Sequence, residues 1–334
     1  MIGVCIVTYN QEKYIAQAIE SVLMQVDCGH KVVVYVGEDN SKDRTGAICD
    51  EIANRVNDAS SKPNEPLRSM SRDKSLNDGG RFAIKVIHNK KNLGLVGNTM
   101  NLLDIMRKDG CKYIAMLDGD DYWSDDHKLL KQMAYMEAHP EFGLVHTCID
   151  LQYPHKLVRD KRTSMPEGDV STIVFEYPIG NCSVVFRTEL LDHIDFEEFQ
   201  QQGFMSCDYI MYIIFSCFTQ FGFQADHMAV WRRGHDSVSN TNDMEKQIRY
   251  SYNGMAMWRY AAKLFPERWS ANEEDLQNFY HYRAFQIAFS YGDRKRALSE
   301  AAQMNDEYKR IHRIKILTAH SCVLTALWRL YKRV

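Results

Sequence analysis

Between Ile2 and Asp118 the chain repeats one pattern, a short apolar run followed by apolar residues at helical spacing. Ile2 to Val7 is apolar at nearly every position, as expected of a strand buried on both faces. Ile15, Ala18, Ile19, Val22 and Leu23 then recur with the period of an amphipathic helix, and Asn10 stands where it can cap that helix. Val32 to Val36 is a second β-branched run, and Ala47, Ile48, Ile52 and Val56 mark a second helix. Phe82 to Ile87 gives a third strand, about Leu95 to Met106 a third helix, and Tyr113 to Leu117 a fourth strand ending at Asp118. Such alternation predicts an α/β fold with a mainly parallel sheet flanked by helices.

The remaining sequence predicts a large domain over 1–239 and a helical region over 240–334. Residues 57–80, rich in Ser, Asn, Asp, Pro, Lys and Arg, read as a flexible surface insertion, either tolerated or used for recognition. At 309–334 basic clusters flank Ile316, Leu317, Val323, Leu324, Leu327, Trp328 and Leu330 with no acidic residue. That pattern suits an anionic membrane surface, or equally a packed helix with a solvated basic rim. A formal net charge of −3 gives no field that would gather nucleic acid. The nine cysteines are odd in number, scattered and without a C-x-x-C pair. Reduced core thiols are therefore expected, rather than disulfides or a zinc site. No basic segment precedes the first strand, so no signal peptide is expected. No run of about 18 apolar residues predicts a membrane-spanning helix.

Leu117-Asp118-Gly119-Asp120-Asp121 follows the fourth strand. Ligands of parallel α/β sheets sit beyond the carboxyl ends of the strands, and carboxylates gathered there repel one another unless a cation joins them. Mg²⁺ or Mn²⁺ with bound phosphates fits; so does a solvated acidic turn. An EF-hand starting at Asp118 fails, because Trp123 and Leu129 occupy the positions that need glycine and glutamate. Neither a G-x-x-x-x-G-K-[ST] loop nor a G-x-G-x-x-G fingerprint is present. Glu38-Asp39-Asn40-Ser41-Lys42-Asp43-Arg44-Thr45 follows the second strand, where its carboxylates can accept from a base or ribose and Ser41 or Asp43 can cap the next helix. Val7-Thr8-Tyr9-Asn10 places at the same edge an aromatic ring that can stack on a nucleobase or pack in a turn.

The order of these segments resembles glycosyltransferase family 2, inverting enzymes with the GT-A (Rossmann-like) fold. Ile6-Val7-Thr8-Tyr9-Asn10 is similar to the family's opening motif, with Val7 where proline is common. The 38–45 segment is similar to D-D-G-S-x-D-x-T, with Glu38 and Asn40 as substitutions; Asn92-Leu93-Gly94 with Asn98 is similar to its N-x-G segment; Asp118-Gly119-Asp120-Asp121 matches D-x-D-D. The likeness runs from about Ile2 to Ser239 and is densest before Asp150.

The resemblance implies roles by position. Thr8, Tyr9, Asn10, Glu38, Asp39, Asn92, Asp118, Gly119 and Arg233 would bind the nucleotide-sugar donor. Asp120 would be the chief ligand of Mn²⁺ or Mg²⁺, with His235 of Arg233-Gly234-His235 as a second ligand unless that segment is only a surface turn. Asn181 and Ser183 would line the sugar and acceptor pocket. The general base would be Asp208, in Ser206-Cys207-Asp208-Tyr209, where Cys207 replaces a common first acid; helix capping is the plainer role for Asp208, and Asp192 and Asp195 are weaker rivals. The implied activity is metal-dependent, inverting transfer of a hexose-type sugar from a UDP-sugar to a glycan or lipid-linked saccharide, as in cell-envelope polysaccharide biosynthesis. The expected location is cytoplasmic, with peripheral contact on the inner membrane face through 309–334. Nucleotidyl transfer and non-catalytic sugar-nucleotide binding are the alternatives.

Overall fold

The computed structural model describes residues 1–61, 81–160, 179–233, 241–268 and 273–321. Contacts divide the chain into two units, Met1–Gly234 and His235–Val334.

The first unit opens with β1 (Ile2–Thr8), α1 (Ile15–Leu23), β2 (Val32–Glu38), α2 (Thr45–Ser61), β3 (Phe82–His88), α3 (Gly94–Lys108) and β4 (Tyr113–Asp118). The short strand β5 (Tyr122–Trp123) and α4 (Lys128–Ala138) follow. Then come β6 (Phe142–Tyr153), β7 (Lys156–Arg159), β8 (Val185–Arg187), α5 (Phe196–Gln201), α6 (Asp208–Ser216) and β9 (Gln220–Arg232). One mixed sheet runs β3-β2-β1-β4-β8-β6-β9-β5, with β7 beside β6. Strands β3, β2, β1 and β4 are mutually parallel. β8 is antiparallel to both β4 and β6, and β9 is parallel to β6. Two reversals restore direction, so β6 and β9 end at the same sheet edge as β1, β2 and β4.

β1 and β2 are buried at every position, because helices cover both faces of these central strands. α1 buries Ile15, Ala18, Ile19, Val22 and Leu23, the stripe its spacing predicts. Asn10 does not cap α1. The residue at its N-cap is Tyr14, with no side-chain cap bond, and Asn10 instead turns through φ 53° and accepts from the Lys42 amide at 2.7 Å. α2 continues to Ser61, so 57–61 belong to a helix rather than to an insertion; the rest of that predicted segment, 62–80, lies outside the described residues. Eight cysteines are free and buried, and Cys322 lies outside the described residues.

His146 on β6 is 1% exposed, lies against Phe223 of β9 at 5.1 Å between ring centroids, and has no hydrogen-bond partner at either ring nitrogen. Burial pushes its imidazole down from 6.5 to about 3. The unfolded chain therefore takes up a proton below pH 6.5 that the folded chain refuses until about pH 3. Stability is lost across that window as pH falls, by about 2 kcal/mol at pH 5. His146→Phe is expected to remove this share of the acid sensitivity. Urea unfolding at pH 7.5 and pH 5 measures it; an unchanged difference between the two pH values would contradict the account.

The second unit contains α7 (Met244–Leu264), α8 (Glu273–Tyr291), α9 (Arg294–Ala302), α10 (Asp306–Ile311) and α11 (Arg313–His320). Its core is Ile248, Ala284, Phe285, Ala288, Phe289, Ala297 and Ala301. Asp243, Asp293 and Asn305 cap α7, α9 and α10 through side-chain bonds to backbone amides.

Candidate functional site

The chain leaves β1 for β2 and β3 on one side, then crosses to β4 on the other side of β1. This reversal opens a crevice beyond the carboxyl ends of β1 and β4. In register, Val7 is paired with Asp118, Thr8 with Glu38, and Glu38 with His88. The three motif segments thus meet at one edge.

The turn after β4 is tight. The Gly119 amide donates to the Val7 carbonyl at 2.9 Å, and the Asp121 amide to the Asp118 carbonyl at 3.0 Å. A Cβ on Gly119 would lie 2.9 Å from both Cβ and Oγ1 of Thr8, closer than real side chains approach. Asp118 and Asp120 are half-buried and Asp121 is buried. Burial first, then the charge of Asp120, pushes the Asp118 carboxyl up to about 7; the Asn181 amide opposes the shift and Asp208 adds to it. Burial and then Asp120 and Asp118 push Asp121 well above the carboxylate range, against the pull of Arg232.

Arg232 is the residue that the sequence reading missed. It is 9% exposed at the end of β9. Its amide donates to Asp121 Oδ1 at 2.8 Å, and its guanidinium donates to the Asp120 carbonyl and to Gln17 Oε1. The same group lies over the rings of Tyr122 and Tyr14, at 4.6 and 5.1 Å from their centroids. Arg233, the predicted donor ligand, has its guanidinium over Trp231 and donates its amide to the Gln152 carbonyl at 2.7 Å. Adjacent arginines on a strand face opposite ways. Which one turns inward depends on the phase of β9, and β9 slips register against β6 between Thr147 and Ile149. The alternation therefore could not be counted through from sequence.

The other predicted donor residues divide between open and committed groups. Tyr9 is 42% exposed at the edge. Thr8 is buried and donates to Gln11 Oε1 at 2.8 Å. Glu38 accepts from the Ser41 amide at 2.7 Å. Asp39 accepts from the amides of Leu93 and Gly94 and from Asn89, so its carboxylate holds the start of α3. Asn92 donates to the Asp39 carbonyl at 3.2 Å. Asn40 adopts φ 59°, which explains why asparagine can stand where the resembled pattern has glycine. Asp43 accepts from the Thr45 amide and so serves the start of α2.

Across the crevice, Asn181 donates to Asp118 Oδ2 at 3.1 Å. Ser183 is fully buried, and its hydroxyl closes the turn onto the Gly180 carbonyl at 2.7 Å. Asp208 opens α6 as its first helical residue. The N-cap is Cys207, a buried thiol hydrogen-bonded to Thr99 of α3, so the common acid at that position would be desolvated here. Asp208 is half-buried, near enough to Asp118 for its charge to act there. The rivals are engaged elsewhere, Asp195 as the cap of α5 and Asp192 with Arg107 at 3.4 Å.

Asp118, Asp120 and Asp121 thus lie together, with Asp208 near enough for its charge to act on Asp118, and Arg232 is a described cation that acts on Asp121. Hard, charge-rich oxygen ligands of this kind fit a divalent cation. His235, the other predicted metal ligand, lies outside the described residues. Among the described residues, the group whose ligand atoms all lie within 4.8 Å of one another is a different one, Asp125, Asp126 and His127 before α4. There Lys131 already pairs with Asp125 at 2.8 Å and His127 with Asp126.

A sequence profile of the family described as Glycosyl transferase family 2 matches residues 3–182. Uncharacterized proteins Mb1547 of Mycobacterium bovis and Rv1520 of Mycobacterium tuberculosis are each 30% identical over 135 residues, 40% of this chain and 31% of theirs. The chain thus spans about a third of the length of these curated relatives. Among solved structures, S. aureus TarS 1-349 in complex with UDP-GlcNAc is similar with a TM-score of 0.59 and 13% identity, over 97% of this chain and 88% of that one. Mannosyltransferase PcManGT from Pyrobaculum calidifontis in complex with GDP-Man and Mn2+ gives 0.54 and 13%, over 100% and 88%. At such identities the likeness is one of fold.

Proposed function

Since this chain belongs to glycosyl transferase family 2, we propose that it moves a sugar from a nucleotide-diphosphate sugar, a UDP-sugar, to a hydroxyl of a glycan or lipid-linked saccharide, with inversion. Its fold is the GT-A arrangement, a mixed sheet flanked by helices with a helical C-terminal region. The observation that carries the reading is the recess at the strand-order reversal, where the Asp118–Asp121 turn faces Asp208. Tyr9 offers an exposed ring for the base, and Thr8, Glu38 and Asn92 border the nucleoside side. Asp118 and Asp120 would hold Mn²⁺ or Mg²⁺, which supplies positive charge against the departing diphosphate. Asp208 accepts the acceptor hydroxyl's proton as that oxygen attacks the anomeric carbon from the face opposite the leaving group.

No described helix is long and apolar enough to cross a membrane. Peripheral contact on the cytoplasmic face is supported by Ile311, Ile314 and Leu317, exposed at 65, 83 and 53% along α10 and α11, with exposed Arg310 and Arg313 among them. Apolar groups interleaved with cations suit an anionic lipid surface.

A panel of UDP- and GDP-sugars with acceptor saccharides, with Mn²⁺ or with chelator, tests the function by nucleotide release. Metal-dependent UDP release is expected, falling at least about a hundredfold on chelation. Undiminished transfer in chelator would remove the metal role. Pyrophosphate release from a nucleoside triphosphate would favour nucleotidyl transfer, and donor binding with neither transfer nor hydrolysis would leave a binding protein. Run with vesicles, the same panel should show the protein sedimenting with anionic but not neutral lipid; absence from both would refute the membrane contact.

A further inference from the structure

One helix is tied to the acids after β4 through a bond chain that the proposed reaction does not use. α6 carries Asp208 in its first turn and Tyr212 one turn later, on the same face. The Tyr212 side chain is fully buried, and its hydroxyl donates to Asn181 Oδ1 at 2.7 Å. The other end of that amide, Nδ2, donates to Asp118 Oδ2 at 3.1 Å.

An asparagine amide has one donating and one accepting end, and their order decides whether it attracts or repels a carboxylate. With Oδ1 turned toward Asp118, two acceptors would face each other in a recess where acids already crowd. The phenol prevents this, because a hydroxyl whose proton points at Asn181 fixes the accepting end on its own side. Burial first, and then Asp208, Cys207 and Asp118, push the Tyr212 phenol well above its ordinary range, so it remains a donor. The turn that carries Asn181 is itself anchored, since the Ser183 amide donates to the Gly180 carbonyl at 2.9 Å and Gln132 Nε2 to the Ser183 carbonyl at 2.9 Å.

We propose that Tyr212 is a positioning residue for the donor side of the site, locking the Asn181 amide so that it presents its N–H to Asp118. The inference rests on the proposed donor and metal role of Asp118. A partner that orients a ligand from behind typically changes metal affinity by roughly 10–100-fold when lost.

Tyr212→Phe removes only the hydroxyl. Mn²⁺ binding, measured by calorimetry with and without UDP or GDP, is expected to weaken about tenfold, with donor KM rising in step. At saturating donor and metal kcat stays within about threefold, because Asp208 keeps its place on α6. Asn181→Leu, which can neither accept nor donate, tests the link from its other end and should weaken Mn²⁺ binding at least as much. Adding Tyr212→Phe to Asn181→Leu should then change nothing further, whereas a phenol with a merely structural role would add its own loss. Wild-type Mn²⁺ affinity in Tyr212→Phe, or full additivity in the double variant, overturns the inference and leaves the proposed function standing. A wild-type protein that binds neither Mn²⁺ nor nucleotide overturns both.

Discussion

Asp208→Asn is expected to lower sugar transfer about a thousandfold, within the roughly 10²–10⁴-fold range of a positioned general base. The substitution keeps the shape of the side chain and removes the site that takes the acceptor proton. Its effect on donor binding should be small, because Asp208 opens α6 whereas the proposed nucleoside contacts stand at the ends of β1 and β2. Metal affinity should fall slightly, since one negative charge that acts on Asp118 has gone. The diagnostic is the split, with kcat collapsing while donor KM and Mn²⁺ affinity stay within about threefold. Asp195→Asn is the contrast. That residue caps α5 by accepting from Glu197 and Glu198, so its loss affects stability by about 1 kcal/mol at most and leaves transfer near normal. Full turnover in Asp208→Asn would strike it from the mechanism.

Arg232→Met should have the largest effect on stability. Arg232 is 9% exposed, and its charge acts on the buried acid of the Asp118–Asp121 turn. Removing the guanidinium leaves the part-buried Asp120 carbonyl and Gln17 Oε1 without their donor, at roughly 1–3 kcal/mol for each unsatisfied group. For a unit of this size a loss of about 3 kcal/mol lowers Tm by roughly 6–12 °C. Methionine fills part of the space over Tyr14 and Tyr122 but cannot donate to the Asp120 carbonyl or to Gln17. Arg232→Lys should fall between, because it retains the charge and loses the planar fork. An Arg232→Met protein as stable as the wild type would show that the guanidinium is not what holds this turn.

Much of the first unit was legible because its signals are local. A strand buried on both faces must be apolar throughout, so β1, β2 and β4 were visible to within a residue or two of their ends. The acids beyond them were visible because a strand that ends in Asp118-Gly119-Asp120-Asp121 leaves those carboxylates at the sheet edge. Local reasoning could not see the partners a side chain finds once the chain has folded. Asn10 could have capped α1, but a positive φ turns it toward Lys42, 32 positions away. Asp39, expected on the nucleoside side, also holds the α3 amides, which are more than fifty positions away. The Ser183 hydroxyl bonds the Gly180 carbonyl of its own turn, a contact set by the fold of that turn.

By itself the sequence determined the strand–helix order, the edge at which the acids gather and the kind of ligand they suit, since periodicity and residue chemistry act over a few positions. Only the tertiary structure decided that Arg232 rather than Arg233 turns inward, and that Tyr212 reaches Asp118 through Asn181. Those choices depend on strand phase across a bulged pairing and on a helix docked from a distant part of the chain, and no short window of residues encodes either.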